Sequence, residues 1–152
     1  MSGLGDSRGP DSEQEIPAPP DGFVRSESRG PFSVHIGPYF HARPDEGAQH
    51  AFYVLRRHCN GMGILHGGMV SAFMDGLLGA AVGRATRTAS VTIHLSLDFL
   101  SMARAGEWVI GNSRVTRHTK DLAFAEGRLH VGEKDIARAS GVFKLMHRKI
   151  EA

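Results

Sequence analysis

A chain of 152 residues with a formal net charge of +2 is long enough for one domain with a real core and too short for two ordinary ones. Its single cysteine, Cys59, excludes an intrachain disulfide and fits a reducing compartment. No window approaches the roughly eighteen apolar residues of a membrane span, and no secretory or transit signal is legible, so a soluble, cytoplasmic protein without a membrane partner is expected.

The first thirty residues carry Gly3, Gly5, Gly9, Pro10, Pro17, Pro19 and Pro20, with Leu4, Ile16, Phe23 and Val24 as the large apolar groups after Met1. Such a segment buries too little surface to offset the entropy of ordering it, which predicts a disordered tail over residues 1–30 and a folded domain over 31–152. The tail holds six acids against three arginines, a formal charge of −3, which leaves +5 on the folded part. Basic charge of this size suits nucleic acid, acidic lipid or a phosphorylated small ligand. Lys and Arg are scattered through the second half without a basic helix or an aromatic RNA-binding strand, so nucleic acid is not an expected partner.

Two short runs, Ser33–His41 and Gln49–Arg57, have strand character and are separated by the turn-rich ARPDEGA. Residues 58–66 form a polar, glycine-containing loop, after which an apolar helix is predicted from Gly67 to Thr86. Four strand segments follow, at Ser90–Leu100, Glu107–Arg117, Leu122–Val131 and Ile136–Met146, joined by SMARAGE, HTKD and GEKD, whose composition suits hairpins. This order predicts an α+β domain: an antiparallel sheet with its helix on one face and the last four strands as a meander. Within SVTIHLSLDFL, Val91, Ile93, Leu95, Leu97 and Phe99 alternate with Thr92, His94, Ser96 and Asp98. One set faces the core and the other meets water, a ligand or a second subunit.

In the helix, Val70, Phe73, Met74, Leu77 and Ala81 form a bulky stripe, while Gly68, Ala72, Gly76, Gly79 and Gly83 lie on the opposite side. Each interior Gly costs roughly 1 kcal/mol relative to Ala, so the smooth face implies close approach of a sheet or a ligand. A helix apolar nearly all round, in a chain with few residues left for other helices, predicts a sheet wrapped around it.

That helix nevertheless keeps Asp75 among Phe73, Met74, Leu77 and Leu78. The Gly67 N–H sits at the positive end of the helix without an intrahelical acceptor, and such a donor stabilises an oxyanion. Gly67 and Gly68 have no Cβ to hold a substrate oxygen away. Asp75 lies eight residues later, about 12 Å along the axis. One carbonyl does not reach both groups of one helix, which predicts two antiparallel copies, each giving its amide to one site and its carboxylate to the other. The alternative is a surface Asp that caps a loop or pairs with an Arg, and spacing leaves both open. Cys59 lacks an activating constellation and is not an expected nucleophile. The nine histidines have no compact ligand spacing, so a zinc site is not expected.

The run His58-x-Asn60-x-x-Gly63-x-Leu65-His66-Gly67-Gly68, with Asp75 nine residues after His66, resembles the PaaI-type hotdog-fold acyl-CoA thioesterases. The likeness continues through Val91-Thr92-Ile93-His94-Leu95, the Ser101–Gly106 turn and Lys120-Asp121-Leu122-Ala123-Phe124, and covers roughly residues 33–146. The resemblance implies a single hotdog domain, a curved antiparallel sheet around one long central helix, dimerised or tetramerised so that active sites lie between subunits. It makes Asp75 the general base or nucleophile at the thioester and the Gly67 N–H the group that polarises its carbonyl. Asn60 positions the water or the carboxylate, and His66 shapes the loop. Thr92 stands where relatives often have a serine that orients water. Coenzyme A in the family crosses the subunit surface near Ser101–Arg104 and Arg117–Leu122. Gly68, Ser101, Arg104, Arg117 and Lys120 are therefore the implied substrate-binding residues, with coenzyme A part of the substrate and no separate cofactor or metal. Two other readings of the fold stay open: a noncatalytic acyl-CoA binding protein, and a dehydratase or hydratase, against which Asn60 and Asp75 in thioesterase positions weigh.

Overall fold

Chain order and pairing decide where the candidate groups end up. The computed structural model describes residues 12–27 and 30–149. Within them lie β1 (Val24–Arg25), α1 (Pro31–Ile36), β2 (Phe40–Ala42), β3 (Ala48–Tyr53), α2 (Gly67–Thr86), β4 (Thr88–Phe99), β5 (Trp108–His118), β6 (Leu122–Val131) and β7 (Lys134–Lys149). All strands pair antiparallel in one seven-stranded sheet of order β1-β2-β3-β5-β6-β7-β4, and α2 packs against β3, β4, β5, β6 and β7. This is the α+β design of the hotdog fold, with one long helix held by a single antiparallel sheet.

The helix falls on the predicted span because both ends are signalled. His66 is its N-cap, and its Nδ1 accepts the Gly68 N–H at 2.7 Å. Arg87 ends it in the left-handed region at φ 56°, with its N–H on the Gly83 carbonyl at 2.9 Å. Ser33–His41, expected as a strand, is instead a short helix followed by β2. Gly30 caps it and Pro31 opens it, and these local signals prevail over the alternation of Phe32, Val34 and Ile36. The run from Gln49 is strand only to Tyr53, and Arg56–His58 is a 3-10 turn.

The meander holds only for β5, β6 and β7. β4 pairs with β7 rather than with β5, because α2 delivers the chain to the far edge of the sheet. The alternation read along β4 is also broken. Thr92 stands opposite Phe143 and His94 opposite Val142, so Ile93 is an extra residue in a bulge. Before the bulge Ser90 and Thr92 share rungs with the buried Leu145 and Phe143; after it Leu95 and Leu97 lie opposite Gly141 and Ala139. Val91 and Ile93, expected on the core face, are 50% and 56% exposed.

Residues 12–27 belong to the segment whose composition predicts a disordered tail. They hold a 3-10 turn, Glu13–Glu15, and β1 paired to β2, with the Arg25 guanidinium donating to Glu13 at 2.8 Å. Backbone pairing to a sheet edge needs no large apolar side chain, so composition does not register it. Residues 1–11, 28, 29 and 150–152 lie outside the described residues.

Close approach of helix and sheet comes from glycines on the strands. α2 buries Met69, Val70, Phe73, Met74, Leu77, Leu78, Ala81 and Val82. At roughly 1.5–3 kcal/mol for each large side chain, this outweighs the roughly 1 kcal/mol lost at each interior glycine. A Cβ at Gly111 would lie 2.6 Å from Leu77 Cδ2 and 2.7 Å from Leu129 Cδ2, and one at Gly127 would lie 2.8 Å from Leu78 Cδ1. A Cβ at Gly76 would meet nothing within 4 Å. The smooth side of α2 is open at Gly76, whereas at Gly79 a Cβ would touch the Phe143 ring of β7 at 3.8 Å. Among the described residues no helix is long and apolar enough to cross a membrane. Overpacking of the sheet against Leu77 predicts that Gly111→Ala destabilises the fold by about 1–3 kcal/mol in urea unfolding, and an unchanged midpoint would contradict this packing.

Candidate active site

The first turn of α2 can be accounted for donor by donor. The Met69 and Val70 N–H groups donate to the His66 carbonyl at 2.9 and 3.1 Å, and the Gly68 N–H is taken by the His66 ring. Gly67 N–H has no acceptor among the described residues. The fold also explains the two glycines differently. A Cβ at Gly68 would press to 2.9 Å from His66 Nδ1, so the cap requires glycine there. A Cβ at Gly67 would make only ordinary contact, at 3.5 Å, with the Phe99 ring. Packing alone therefore does not demand glycine at 67. Gly68, expected as a substrate-binding residue, has its N–H spent on the cap.

The loop entering the helix is a small closed turn. Asn60 N–H donates to the Ile64 carbonyl at 2.8 Å, and Asn60 Oδ1 accepts the Met62 and Ile64 N–H groups at 2.9 and 3.2 Å. Those two donors fix the amide orientation and leave its Nδ2 as the group able to act on a substrate. His66 accepts at Nδ1 and is exposed, which puts its proton on Nε2 in the neutral ring. Beside Gly67 is a cavity of about 240 Å³ lined by Ile64, Leu65, Val70, Phe99, Ser101, Met102, Ala103 and Ile136. Ser101 lines it with its hydroxyl donating to the Asp135 carbonyl at 2.6 Å. Arg104 is tied to the same loop by a bridge to Ile64, and its side chain is exposed.

Asp75 lies away from this cavity. It is half-buried on the β4 side of α2, and Thr92 Oγ donates to its Oδ1 at 2.6 Å. The bulge at Ile93 makes this contact, since it is the phase before the bulge that turns Thr92 toward the helix. Asp75 thus pairs with a hydroxyl, which leaves Oδ2 open, and it bonds no arginine among the described residues. Arg117 and Lys120 belong to the far end of the sheet, where β5 turns into β6. Arg104, Arg117 and Lys120 carry no ion pair among the described residues, whereas Arg114, Arg128 and Arg138 are bridged to Glu126, Asp135 and Asp98. Two larger concavities, of about 600 Å³ on the outer sheet face and about 670 Å³ beside β1, contain none of the candidate residues.

Within one chain Asn60, His66, Gly67, Ser101 and Arg104 gather at one end, and Asp75 with Thr92 lies further along the helix. The Cys59 thiol donates to the Leu55 carbonyl at 3.5 Å, and burial raises its pKa, which keeps it protonated and unsuited to nucleophilic attack. Among the described residues no group of three or more His, Cys, Asp or Glu is placed to hold a metal. Two residues with no predicted role stand at the site: Phe99, whose ring lies against Gly67, and His58, buried two positions before Asn60.

A hotdog domain, one long helix α2 held by a single antiparallel sheet, defines a fold class, and comparison with known proteins gives the same one. Residues 62–137 match the thioesterase superfamily. A Pseudomonas aeruginosa protein, PA0474, whose name assigns it only provisionally to the esterases, is 39% identical over 130 residues, 83% of this chain and 96% of that protein. Mouse acyl-coenzyme A thioesterase 13 is 30% identical over 73 residues, 47% of this chain, and the match spans about half, 52%, of its own length. Among solved structures, the E. coli PaaI protein from the phenylacetic acid degradation operon superposes with a TM-score of 0.72 at 20% identity, over 79% of this chain and 87% of that one. Streptococcus mutans smu.793, bound to acetyl CoA, does so at 0.67 and 18%, over 72% and 90%. The chain belongs to the thioesterase superfamily and has the PaaI-type hotdog fold.

The Thr92 hydroxyl donates to a carboxylate in a partly open position, a bond worth about 1.5–3 kcal/mol. Thr92→Val should lower kcat for the reaction Asp75 serves by about tenfold or more with little change in KM; a variant that turns over like the wild type would remove Thr92 from the site.

Proposed function

We propose that the protein hydrolyses an acyl-CoA thioester to the free acid and coenzyme A in a site shared between two copies of the chain. The observation that carries this reading is the Gly67 N–H, left without an acceptor at the start of the helix that holds Asp75 about 12 Å further along. The thioester carbonyl oxygen accepts from Gly67 N–H, which stabilises the negative charge gathered there as the carbonyl carbon becomes tetrahedral. Asp75 of the second copy takes the proton of the attacking water, and the C–S bond then breaks to release the thiolate of coenzyme A. In the other route Asp75 attacks the carbon itself, the thiolate leaves, and water then cleaves the acyl-aspartyl anhydride to the free acid and the restored carboxylate. Thr92 holds one Asp75 oxygen and leaves the other to act. Asn60 Nδ2 orients the water or the carboxylate, and His66 holds the turn that aims Gly67. Ser101 and Arg104 on one copy, with Arg117 and Lys120 on the other, meet the phosphates and the pantetheine arm, and Gly68 lets that arm pass.

Several features support the shared site. β4 is an edge strand of 12 residues that exposes Val91, Ile93 and Phe99, and an edge of that length and character is ordinarily covered. A two-fold axis perpendicular to β4 at its exposed edge sets two copies of α2 antiparallel and brings the far-end cations of one chain toward the helix start of the other. The part of the smooth side of α2 left open at Gly76 then meets the partner or the acyl group. In this assembly, a dimer or a pair of dimers, the domain expected over residues 31–152 is the catalytic one, and β1 of the preceding segment pairs to the edge of its sheet. The mouse relative's name and the acetyl CoA bound to smu.793 point to the same substrate class.

The test is thiol release from short, medium, long and aryl acyl-CoA esters by the wild type and by Asp75→Asn. The wild type should hydrolyse at least one class. Asp75→Asn should lose roughly 10²-fold or more in kcat while still binding substrate. No release from any ester, or a variant within twofold of wild type, would sink this reading.

A further inference from the structure

His58 is 3% exposed and sits at the end of a 3-10 turn, with its ring edge-on to Phe52 at 5.5 Å and 85°. Both ring nitrogens are engaged by the main chain. Leu55 N–H reaches Nδ1 at 3.0 Å, and Nε2 lies 2.6 Å from the Ile36 carbonyl at the end of α1. An N–H can only donate and a carbonyl can only accept, so the ring must accept at Nδ1 and donate from Nε2. The other neutral tautomer breaks both bonds, and the imidazolium sets its Nδ1–H against Leu55 N–H. Burial pushes the His58 pKa below its ordinary value, in keeping with a ring held neutral.

The main chain of the same residue closes the turn from the other side. The His58 carbonyl accepts the His66 N–H at 2.9 Å, and Cys59 bridges to Leu65. His58 thus grips both ends of the 59–66 turn, whose last residue gives its carbonyl to Met69 and Val70 and its ring to Gly68. The direction of the Gly67 N–H follows from where His66 is held.

Resting on the thioesterase reading above, we propose that His58 is a positioning residue for that reaction. Its neutral, Nε2-protonated ring anchors the turn to α1 and so aims Asn60 and the Gly67 amide at the thioester. It touches no reacting atom. Its loss acts through misplacement, and a displacement of about 1 Å in such a group can cost up to 10²-fold in rate.

The test has three arms on the full-length protein. Long-range nitrogen–proton NMR of the wild type should show His58 as the Nε2–H tautomer at neutral pH; an Nδ1–H ring or an imidazolium overturns the proposal without any variant being made. Hydrogen exchange should be faster by roughly tenfold or more at the Asn60, Leu65 and His66 amides of His58→Phe, with the β6 amides unchanged. Equal acceleration in β6, or none in the turn, makes His58 a stabilising residue only. The kcat of His58→Phe should fall about tenfold or more with KM within about threefold, and His58→Gln, which keeps a donor for the Ile36 carbonyl, should recover much of it. Unchanged kcat, or a loss confined to KM, also overturns the proposal. A wild type that hydrolyses no thioester would refute the parent reading, while the tautomer and exchange arms would still judge the anchor.

Discussion

A rigid helix holds its first amide and a carboxylate eight residues later about 12 Å apart, and no rotamer of Asp75 closes that distance. The rest of the molecule is arranged around this constraint. The bulky ridge of α2 is driven into the sheet, where Gly111, Gly127 and Gly141 make room for Leu77, Leu78 and Phe143. With that face committed, the small side of the helix and Asp75 are turned away from the core. A helix so fixed cannot flex to bring these two groups onto one substrate, which is why the proposed site draws on a second antiparallel copy.

The polar groups near the helix start divide into those that hold the fold and those left over. His66, by its carbonyl and its ring, takes three of the first four α2 donors, and the remaining one belongs to Gly67. Asn60 spends Oδ1 on its own turn and keeps Nδ2. On the sheet, Arg114, Arg128 and Arg138 neutralise acids on neighbouring strands, whereas Arg104, Arg117 and Lys120 have no such partner among the described residues.

Local signals made part of this legible in the sequence. The span of α2 could be read because a polar, glycine-containing loop runs straight into an apolar stripe in one short stretch of chain, and that of β6 because turn residues bound it on both sides. α1 was hidden by three apolar residues at alternate positions, which mimic a strand more loudly than Gly30 and Pro31 announce a helix. The pairing of β4 with β7 depends on where a helix delivers the chain, which no short window contains. The bulge at Ile93 is equally silent, yet it decides that Thr92 faces Asp75. The His58-x-Asn60 spacing was visible from the start, but the part played by its histidine became apparent only with the Ile36 carbonyl, 22 residues earlier in the chain, in place.

Subunit mixing tests the shared site most directly. Asp75→Asn and Asn60→Ala chains, each impaired alone, are combined under conditions of verified exchange and random pairing. If Asn60 and Gly67 of one chain work with Asp75 of the other, each mixed dimer has one site carrying both lesions and one carrying neither. Half the dimers are mixed, so activity should return to about one quarter of the wild-type value. Mixing that restores nothing, with exchange demonstrated, would place all three residues in a single chain's site or remove Asp75 from the chemistry, and would contradict the account.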